Sequence, residues 1–389
     1  MGLPKISFII ATAGLGLLTA DIQKIPGLVI TGTTVAGKIA IGESKQFFSL
    51  EAAKNSGINP TDNPFAYKHV KAFYDYAGTN AELWVMLASD ATTMSVMADK
   101  TQNIAKKLLN DAGGRIRVLG LIKKSAGTET AANGLDANVD AAAIKLQELA
   151  DEFTGKYFPF RGIISGNNFS GNVTDLKDYE TTSFNRASIL IGNTDAEKEA
   201  SIGLALGRLA SIPVHRKLHR VRDGAVEDIA AYFTNGAKVE SLSASWDALA
   251  DKNYIFFRNF VGKAGFYFSS DPTLTKSTDD FNNLSNGFVM DKALIIAYNV
   301  LVENLGDEVL VTESGTIHPA IIKSWQSAVE SNINGNMTDQ GELSACKCYI
   351  NEKQNVLLTG NMEVEIRLLP VGYAEYITVK IGFTTSIQS

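Results

Sequence analysis

The sequence predicts a multidomain fold of the α/β and α+β classes, with extended strand-forming arms at its N and C termini. From Ala81 onward, short apolar runs alternate with segments of helical periodicity, which is the pattern of an open α/β sheet. After Lys238, short strands, two long helices and further alternating strands follow, as expected of a second domain with a mixed sheet. Apolar strand-like runs lie close to both chain ends.

In the first of these regions, strands and amphipathic helices are predicted in turn. The strands are expected at 83–87, 116–122, 160–165 and 187–191, and the helices at about 92–110, 141–153 and 197–210. The Gly-, Asn-, Thr- and Ser-rich segments 125–138 and 166–182 are predicted surface loops. Neither contains the G-x-G-x-x-G that opens a dinucleotide-binding helix, so the fold class alone implies no cofactor.

In the second region, strands are expected at 254–257 and 264–268 and helices at about 280–304 and 319–332. Three alternating strands close the chain, around Tyr349, at 362–368 and at 377–383. The predicted organisation is an N-terminal arm at 1–26, a hairpin and linker at 27–59, an α/β domain at 60–237, a second domain at 238–370 and a C-terminal strand arm at 371–389.

Length and composition indicate a globular protein and exclude some partners. The 389 residues suffice for two or three domains of roughly 100–200 residues each, and 45% of them are apolar. A net charge of −6, with charged residues spread along the chain, gives no general attraction to nucleic acid or to an anionic membrane. Cys346 and Cys348 form neither a zinc framework nor a disulfide scaffold, which favours synthesis in the cytosol.

The N-terminal segment 5–20 has two interpretations. It has about the length of a secretory core segment, and small residues follow it. Pro4, a single preceding positive charge and the interruptions at Thr12, Gly14 and Gly16 argue against a signal peptide. It is also too short for a bilayer, which takes about 20 apolar residues. The alternative is an extended, strand-forming arm.

The stretch "GLVITGTTVAGKIAIG", residues 27–42, resembles a phosphate-binding loop in the spacing of Gly32, Gly37 and Lys38. Position 39 departs from that motif, because Ile39 replaces the Ser or Thr that would ligate Mg²⁺. The following residues alternate like a strand and stop at Gly42, which leaves no room for a helix. We therefore predict a hairpin, with strands at 28–30 and 38–41 around a glycine-rich turn.

Other candidate sites have simpler structural explanations. His215 and His219 have the spacing of a metal-binding helix, but Pro213 and the interleaved cations argue for a loop, and no metal site is predicted. That basic run, which comprises Arg216, Lys217, Arg220 and Arg222, is interpreted as a charged contact with another subunit or a solvated face, and the contact is favoured.

Carboxylates and thiols likewise suggest no catalysis. Asp279 and Asp280, with Asp291 further along, make acid/base work conceivable, but capping of a helix by Thr278 or Asp279 explains the pair more simply. The two cysteines have only Lys347 as a basic neighbour, which makes a nucleophile improbable. No catalytic residue and no cofactor is predicted.

Four segments, in order, resemble the contractile tail sheath proteins of bacteriophages and related injection systems. "GKIAIGESKQFFSLEAAKNSGI" with "HVKAFYDYAGTNAELWVMLAS" resembles the family's opening hairpin, helices and first sheet strand. "IGLALGRLASIPVHRKLHRVRDGAV" resembles a helix, basic strand and Asp-Gly turn of one branch of the family. "STDDFNNLSNGFVMDKALIIAYNVLVENLGD" resembles its central helix, and "EVEIRLLPVGYAEYITVKIGF" its closing strands.

The resemblance implies an outward α/β domain, a C-terminal sheath domain that faces an inner tube, and arms that add strands to neighbouring sheets. The implied function is a structural subunit that polymerises into a helical sheath around an inner tail tube and contracts to drive the tube through a cell envelope. Its implied partners are further copies of itself, the inner tube protein, and baseplate and tail terminator proteins, without direct nucleic acid binding or membrane insertion. It would assemble in the host or bacterial cytoplasm and reside in the virion tail. The alternative is a cytosolic α/β nucleotide-binding enzyme.

The residues expected to join subunits lie mainly in the two arms. Four apolar side chains of the C-terminal run point to one side of the predicted strand, which needs a hydrophobic cover. These residues are Ile377, Val379, Ile381 and Phe383, and the corresponding residues of the N-terminal arm are Ile6, Phe8 and Ile10.

Overall fold

The computed structural model describes residues 24–227, 229–375 and 377–379, and shows a mixed α/β fold. Within these residues, seven strands form the main sheet: β1 Pro26–Thr31, β2 Ser44–Phe47, β3 Leu83–Ala88, β4 Val118–Ile122, β7 Arg161–Ser165, β9 Ala187–Leu190 and β12 Tyr254–Ile255. Their order is β12-β9-β7-β4-β1-β3-β2. All neighbours pair in parallel except β2, which runs antiparallel to β3 at one edge.

Seven helices of the described chain precede residue 252: α1 Leu50–Asn55, α2 Pro64–Ala77, α3 Met94–Ala98, α4 Ala105–Asp111, α5 Asn138–Thr154, α6 Ile202–Ser211 and α7 Trp246–Asp251. Two glycines show that α5 and α6 cover opposite faces of the main sheet. Gly120 in β4 approaches Ile202 and Leu206 of α6, whereas Gly162 in β7 approaches Leu146 of α5. Since Gly162 pairs with the residue before Gly120, the two glycines point to opposite faces.

Helices α2 and α6 pack against each other through small residues. A side chain at Gly203 would come within 2.0 Å of the His69 carbonyl oxygen, and one at Gly207 within 2.6 Å of that of Phe73. The Gly-x-x-x-Gly spacing of the α6 sequence thus lets two helix backbones approach closely.

Short antiparallel strand pairs accompany the main sheet as separate two-stranded sheets. These pairs are β5 Ala131–Ala132 with β6 Leu135–Asp136, β8 Ser183–Phe184 with β15 Leu274–Thr275, β10 Gly192–Asn193 with β11 Tyr232–Phe233, and β13 Phe257–Arg258 with β14 Tyr267–Phe268. The C-terminal part then consists of α8 Leu284–Val302, α9 Pro319–Ile333, a π-helical turn Asn334–Thr338, β16 Leu343–Ile350, α10 Val356–Thr359 and β17 Val364–Pro370. None of the helices in the described ranges is long and apolar enough to cross a membrane.

A buried ion pair attaches α8 to the main sheet. Asp291 of α8 lies 3.0 Å from Nε of Arg161 in β7 and 3.1 Å from Nη1 of Arg186. The Arg161 side chain is 1% exposed and also donates to the Asn185 carbonyl oxygen over 2.6 Å. Gly287 leaves room for this guanidinium, because a Cβ there would lie 1.8 Å from Cζ of Arg161.

The hairpin predicted at 28–30 and 38–41 does not form. β1 instead lies inside the main sheet, where Leu28 pairs with Val85 of β3 and with Gly120 of β4. All six β1 residues are buried, as is typical of a central parallel strand, whose apolar run is continuous rather than alternating. The glycine-rich stretch turns back on itself only locally, by an antiparallel bridge between Val35 and Ile39.

Two predicted helices also have different limits. The helix expected at 92–110 is divided into α3 and α4, because the Asp99 carboxylate accepts from both the amide and the hydroxyl of Thr101 and so favours a turn. Helix α8 is capped by Asn283, whose side chain accepts from the Asn286 amide, and not by Thr278 or Asp279.

The main sheet extends beyond the range 60–237 predicted for the α/β domain. Strand β1 precedes that range and β12 follows it. The limits proposed for the separate domains and arms stay a prediction.

Candidate interaction site

The C-terminal ribbon, formed by β16 and β17, has one apolar and one polar face. Its strands pair antiparallel from Leu343 with Pro370 to Ile350 with Val364, with one irregularity between Leu343 and Ala345. Cys346, Cys348 and Ile350 are buried, and partners on β17 such as Ile366 pack against the same core. The alternate residues are exposed, so the ribbon sits on the body by one face only.

The two edges of the ribbon differ. On the β16 side, the Cys348 amide donates to Glu330 Oε1 of α9 over 2.9 Å, so the helix takes up part of that edge. On the β17 side, no further strand of the described chain pairs with the ribbon. An open strand edge presents unpaired amides and carbonyls in a row, which is a template for another strand.

The predicted C-terminal strand arm is described only in part. Ile377 and Val379 are 79% and 69% exposed and have no regular secondary structure. Ile381 and Phe383, and the N-terminal residues Ile6, Phe8 and Ile10, lie outside the described residues. The role of these seven residues as arm contacts therefore stays a prediction.

The predicted charged contact is largely paired within the chain. Arg216 and Arg220 both bind Asp223, and the Arg216 pair measures 3.6 Å. Lys217 is buried and lies 3.4 Å from Asp271 and 3.6 Å from Glu375. Arg222 is exposed. A contact with another subunit would have to compete with these internal pairs, and it stays a prediction.

The glycine-rich loop follows β1 at the switch point of the main sheet, where ligands of doubly wound sheets commonly bind. Several of its amides are used internally: Thr33 donates to Asn63 Oδ1 over 2.7 Å, and Lys38 and Ile39 both donate to the Val35 carbonyl oxygen. Ile39 is 1% exposed. These amides, including that of Lys38, are therefore not directed at a phosphate.

The chain's own carboxylates occupy the neighbouring loop after β4. The Ser125 and Ala126 amides donate to Glu199 and Glu129 over 2.5 Å each. Burial raises the pKa of Glu199. For Glu129, burial acts in the same direction, but hydrogen bonds from Ala126 and Ser125 overcome it and lower the pKa to about 2. The carboxylates of Glu129 and Glu199 thus occupy the position that the phosphate of a bound nucleotide would need. This arrangement disfavours the nucleotide-binding alternative.

The remaining candidates are structural in the described chain. His215 and His219 lie in an irregular segment, so their spacing does not place them on a helix face. Burial raises the pKa of the Cys346 thiol, and burial raises that of Cys348 to about 11, as expected of unreactive thiols. Asp291, considered above with the two carboxylates near α8, is the buried partner of two arginines rather than an acid or base.

Sequence reasoning missed an exposed apolar patch beside the ribbon. Leu357 and Leu358 of α10 are 73% and 82% exposed, and the Leu357 amide donates to the Gly315 carbonyl oxygen. Leu310, in the loop that contains Gly315, is 74% exposed. A search for unpaired apolar residues between the predicted strands would have detected the leucine pair.

Comparisons with known proteins agree with the sequence resemblance at the level of the fold. The contracted helical sheath of the anti-feeding prophage superposes with a TM-score of 0.65 over 99% of this chain and 100% of that one, at 14% identity. The contracted sheath complex of the extracellular contractile injection system PVC gives 0.59 over 100% and 98%, at 13% identity. A sheath tail protein from Listeria innocua gives 0.50 over 90% and 95%, at 8% identity.

Sequence comparison matches both parts of the chain to the models of one family. No protein of curated function matches it. The N-terminal domain of DUF2586 matches residues 3–271, and the C-terminal domain of DUF2586 matches residues 280–388. Together the two matches cover nearly the whole sequence, so the chain belongs to the DUF2586 family.

Proposed function

We propose that the chain is a structural subunit of a contractile tail sheath. The observation that carries the proposal is the sheath-subunit fold, which extends over nearly the full length of both chains in each comparison with the contracted sheaths. The subunit would polymerise into a helical tube around an inner tail tube and contract to drive that tube through a cell envelope.

The open β17 edge supports polymerisation by strand donation. The C-terminal run 377–383 has one apolar face, and an added strand would gain backbone hydrogen bonds from an exposed edge. Covering Ile377, Val379, Ile381 and Phe383 would contribute about 6–12 kcal/mol before ordering costs, at roughly 1.5–3 kcal/mol for each side chain. If each subunit donates its arms to one neighbour and receives arms from another, the contact is head-to-tail and generates a helix.

The finer arrangement follows from the same proposal. The α/β part would project outward, and the C-terminal part with its ribbon would lie inward, where the exposed Leu357 and Leu358 could meet another component. Pro370 ends the ribbon and Gly372 lies at the start of the arm, where a change of direction would let subunits move as rigid bodies while they stay tethered. Further partners would be the inner tube protein, baseplate and tail terminator proteins. The subunit would perform no catalysis, and would assemble in the bacterial cytoplasm.

Negative-stain electron microscopy of the purified full-length chain tests the function. Tubes or rings are expected, and discrete small particles under all assembly conditions would contradict the proposal.

Truncation and substitution test the arm separately. A chain that ends at Pro370 should fold but fail to polymerise, and one that ends at Glu375 should behave alike because it lacks only the arm beyond its root. Replacing the four apolar residues by threonine keeps strand propensity and should also abolish tubes. Serine at Thr378 and Thr384 changes the opposite face and serves as the matched control. Tubes formed by the chain that ends at Glu375 would refute the role of the C-terminal arm.

A further inference from the structure

The two ends of the described body meet on one irregular segment, residues 213–220, which we call the junction segment. On the N-terminal side, the Lys24 ammonium donates to the Pro213 carbonyl oxygen over 3.0 Å. On the C-terminal side, the Tyr373 hydroxyl donates to the His215 carbonyl oxygen. Lys24 and Tyr373, almost 350 positions apart in sequence, therefore donate to carbonyl groups that are only two residues apart.

Ion pairs strengthen the C-terminal attachment. Glu375 lies 3.6 Å from Nζ of Lys217 and 3.1 Å from Nε2 of His219. The Lys217 ammonium also lies 4.8 Å from the centre of the Tyr373 ring. Residues 373 and 375, which immediately precede the predicted strand, thus contact the junction segment by two side chains.

Asp271 joins the same cluster to helix α8. One carboxylate oxygen lies 3.4 Å from Nζ of Lys217 and 3.5 Å from Nδ1 of His219, and the other accepts from the Ser285 hydroxyl over 3.0 Å. Asp271 is 3% exposed. The position of the junction segment is therefore fixed relative to the body by a buried carboxylate.

Lys24 is sensitive to the charge balance of this cluster. Its side chain is buried and lies 5.4 Å from the Phe288 ring centre. Burial lowers the pKa of Lys24 to about 7, while the carboxylates of Asp271 and Glu342 act in the opposite direction and favour the cation. Arg216 of the junction segment acts against it. If Glu375 leaves, Lys217 and His219 lose one anion and rely more on Asp271, so less compensation remains for Lys24.

We propose that the junction segment is a common anchor that couples Lys24 to residues 373–375, which we call the N-terminal and C-terminal arm roots. Loss of the Glu375 contacts then weakens the attachment of Lys24, and loss of the Lys24 contact weakens the attachment of residues 373–375. The coupling stands on contacts within one chain. Its consequence for a sheath, that tension on one arm of a subunit reaches the other, rests on the proposed function. Such coupling between separated sites is reciprocal by thermodynamic necessity.

Trypsin provides a direct readout at the N-terminal root, because the bond after Lys24 is cleaved only when the buried lysine becomes accessible. The full-length, unassembled chain, isolated by size exclusion, is digested briefly, and the fragment that begins at Ile25 is quantified by mass spectrometry. Glu375→Gln should increase the initial rate of that cleavage about fivefold or more, as expected when cleavage follows the population of a locally opened state. Tyr373→Phe removes one hydrogen bond without a change in charge and should act in the same direction.

The matched control is Glu365→Gln. Glu365 is an exposed, ion-paired glutamate on β17, where it binds Arg367 outside the junction, and its loss should leave cleavage after Lys24 unchanged. In the reverse direction, Lys24→Met should accelerate hydrogen exchange of the amides at 373–375.

The outcomes separate coupling from simple attachment. Faster exchange at 373–375 in Glu375→Gln, with unchanged cleavage after Lys24, would overturn the proposal, since the roots would then be independent. Unchanged behaviour of both roots would overturn it as well. Neither readout requires polymerisation, so failure here leaves the sheath function untouched, and absence of tubes leaves the coupling untouched.

Discussion

The pairing of Asp291 with two arginines predicts that one substitution should weaken the attachment of α8 to the main sheet. Asp291→Ala removes the carboxylate that accepts from Arg161 and Arg186, and it leaves the Arg161 guanidinium buried at 1% exposure. Asp291→Asn keeps the side-chain size and removes only the charge. If charge matters more than the void, both variants should lose similar stability.

The magnitude follows from the burial of the pair. Breaking a buried ion pair by removal of one partner costs about 3–5 kcal/mol, because the remaining charge is left uncompensated in the interior. Arg161 keeps one hydrogen bond to the Asn185 carbonyl oxygen, and the side chain of Arg186 is 13% exposed, so the lower half of that range is expected. Salt should change the loss little, since buried pairs are weakly screened.

Equilibrium unfolding in urea, followed by tryptophan fluorescence, measures the loss and its location. Trp84 and Trp246 report on the main sheet and its surroundings, whereas Trp325 reports on α9. The Trp325 transition should move to lower urea and separate from the others. Asp280→Ala is the control, because Asp280 is exposed near the start of the same helix and its loss should stay within about 0.5 kcal/mol. An Asp291→Ala midpoint equal to that of the control would refute the reasoning.

Three further predictions concern helix packing, pH dependence and thiol reactivity. Gly203→Ala should lower the free energy of unfolding in urea by about 1–3 kcal/mol or more, because the new Cβ would lie 2.0 Å from the His69 carbonyl oxygen. The control is Gly155→Ala, whose Cβ meets nothing nearer than 3.5 Å and which should be neutral. Burial lowers the pKa of His69 to about 3 from an ordinary value of 6.5, so the unfolded state binds more protons between these values and stability falls as pH falls. Between pH 7 and 5, the free energy of unfolding of the wild type should fall by about 2 kcal/mol more than that of His69→Asn. Asparagine is chosen because it keeps an acceptor for the Gly203 amide. Equal losses in the two proteins would contradict this prediction. Cys346 and Cys348 should react with a thiol reagent at pH 8 only after unfolding, and rapid labelling of the native chain would show that they are accessible.

Local patterns predicted the periodic elements, but they did not reveal which strand lies at the centre of the sheet. The glycines around Thr33 favour a turn, and that turn exists between Val35 and Ile39. The adjacent run at 28–30 also favours a hairpin strand when only local sequence is considered, because its actual neighbours β3 and β4 are about 55 and 90 residues away. A continuous apolar run is compatible with a hairpin strand and with a central parallel strand, and only long-range pairing distinguishes them.

The charged residues show the same dependence on distant partners. Asp291 lies 130 positions from Arg161, so no sequence spacing could connect them. The basic run 216–222 is obvious in sequence, and Arg216 and Arg220 pair with the adjacent Asp223. The anions that pair with Lys217, which are Asp271 and Glu375, come from other parts of the chain. Sequence therefore predicts where charge is concentrated, whereas the fold determines whether that charge is available to another molecule.

The proposed function was first suggested by the resemblance of four segments to tail sheath proteins, and the alternation of the last strand-like run is a separate physical argument for it. A strand-donating subunit needs an apolar alternating run near a chain end, which a short segment shows, and an open strand edge, which only the fold shows. The run 377–383 and the ribbon strand β17 meet these needs within twenty residues of one another. What sequence could not predict is how the arm leaves the body, because that direction depends on Tyr373 and Glu375 contacting a segment more than 150 residues earlier. Under the proposed function, the direction in which the arm leaves the body determines which neighbour it can reach, so the junction contacts and the strand are best tested together.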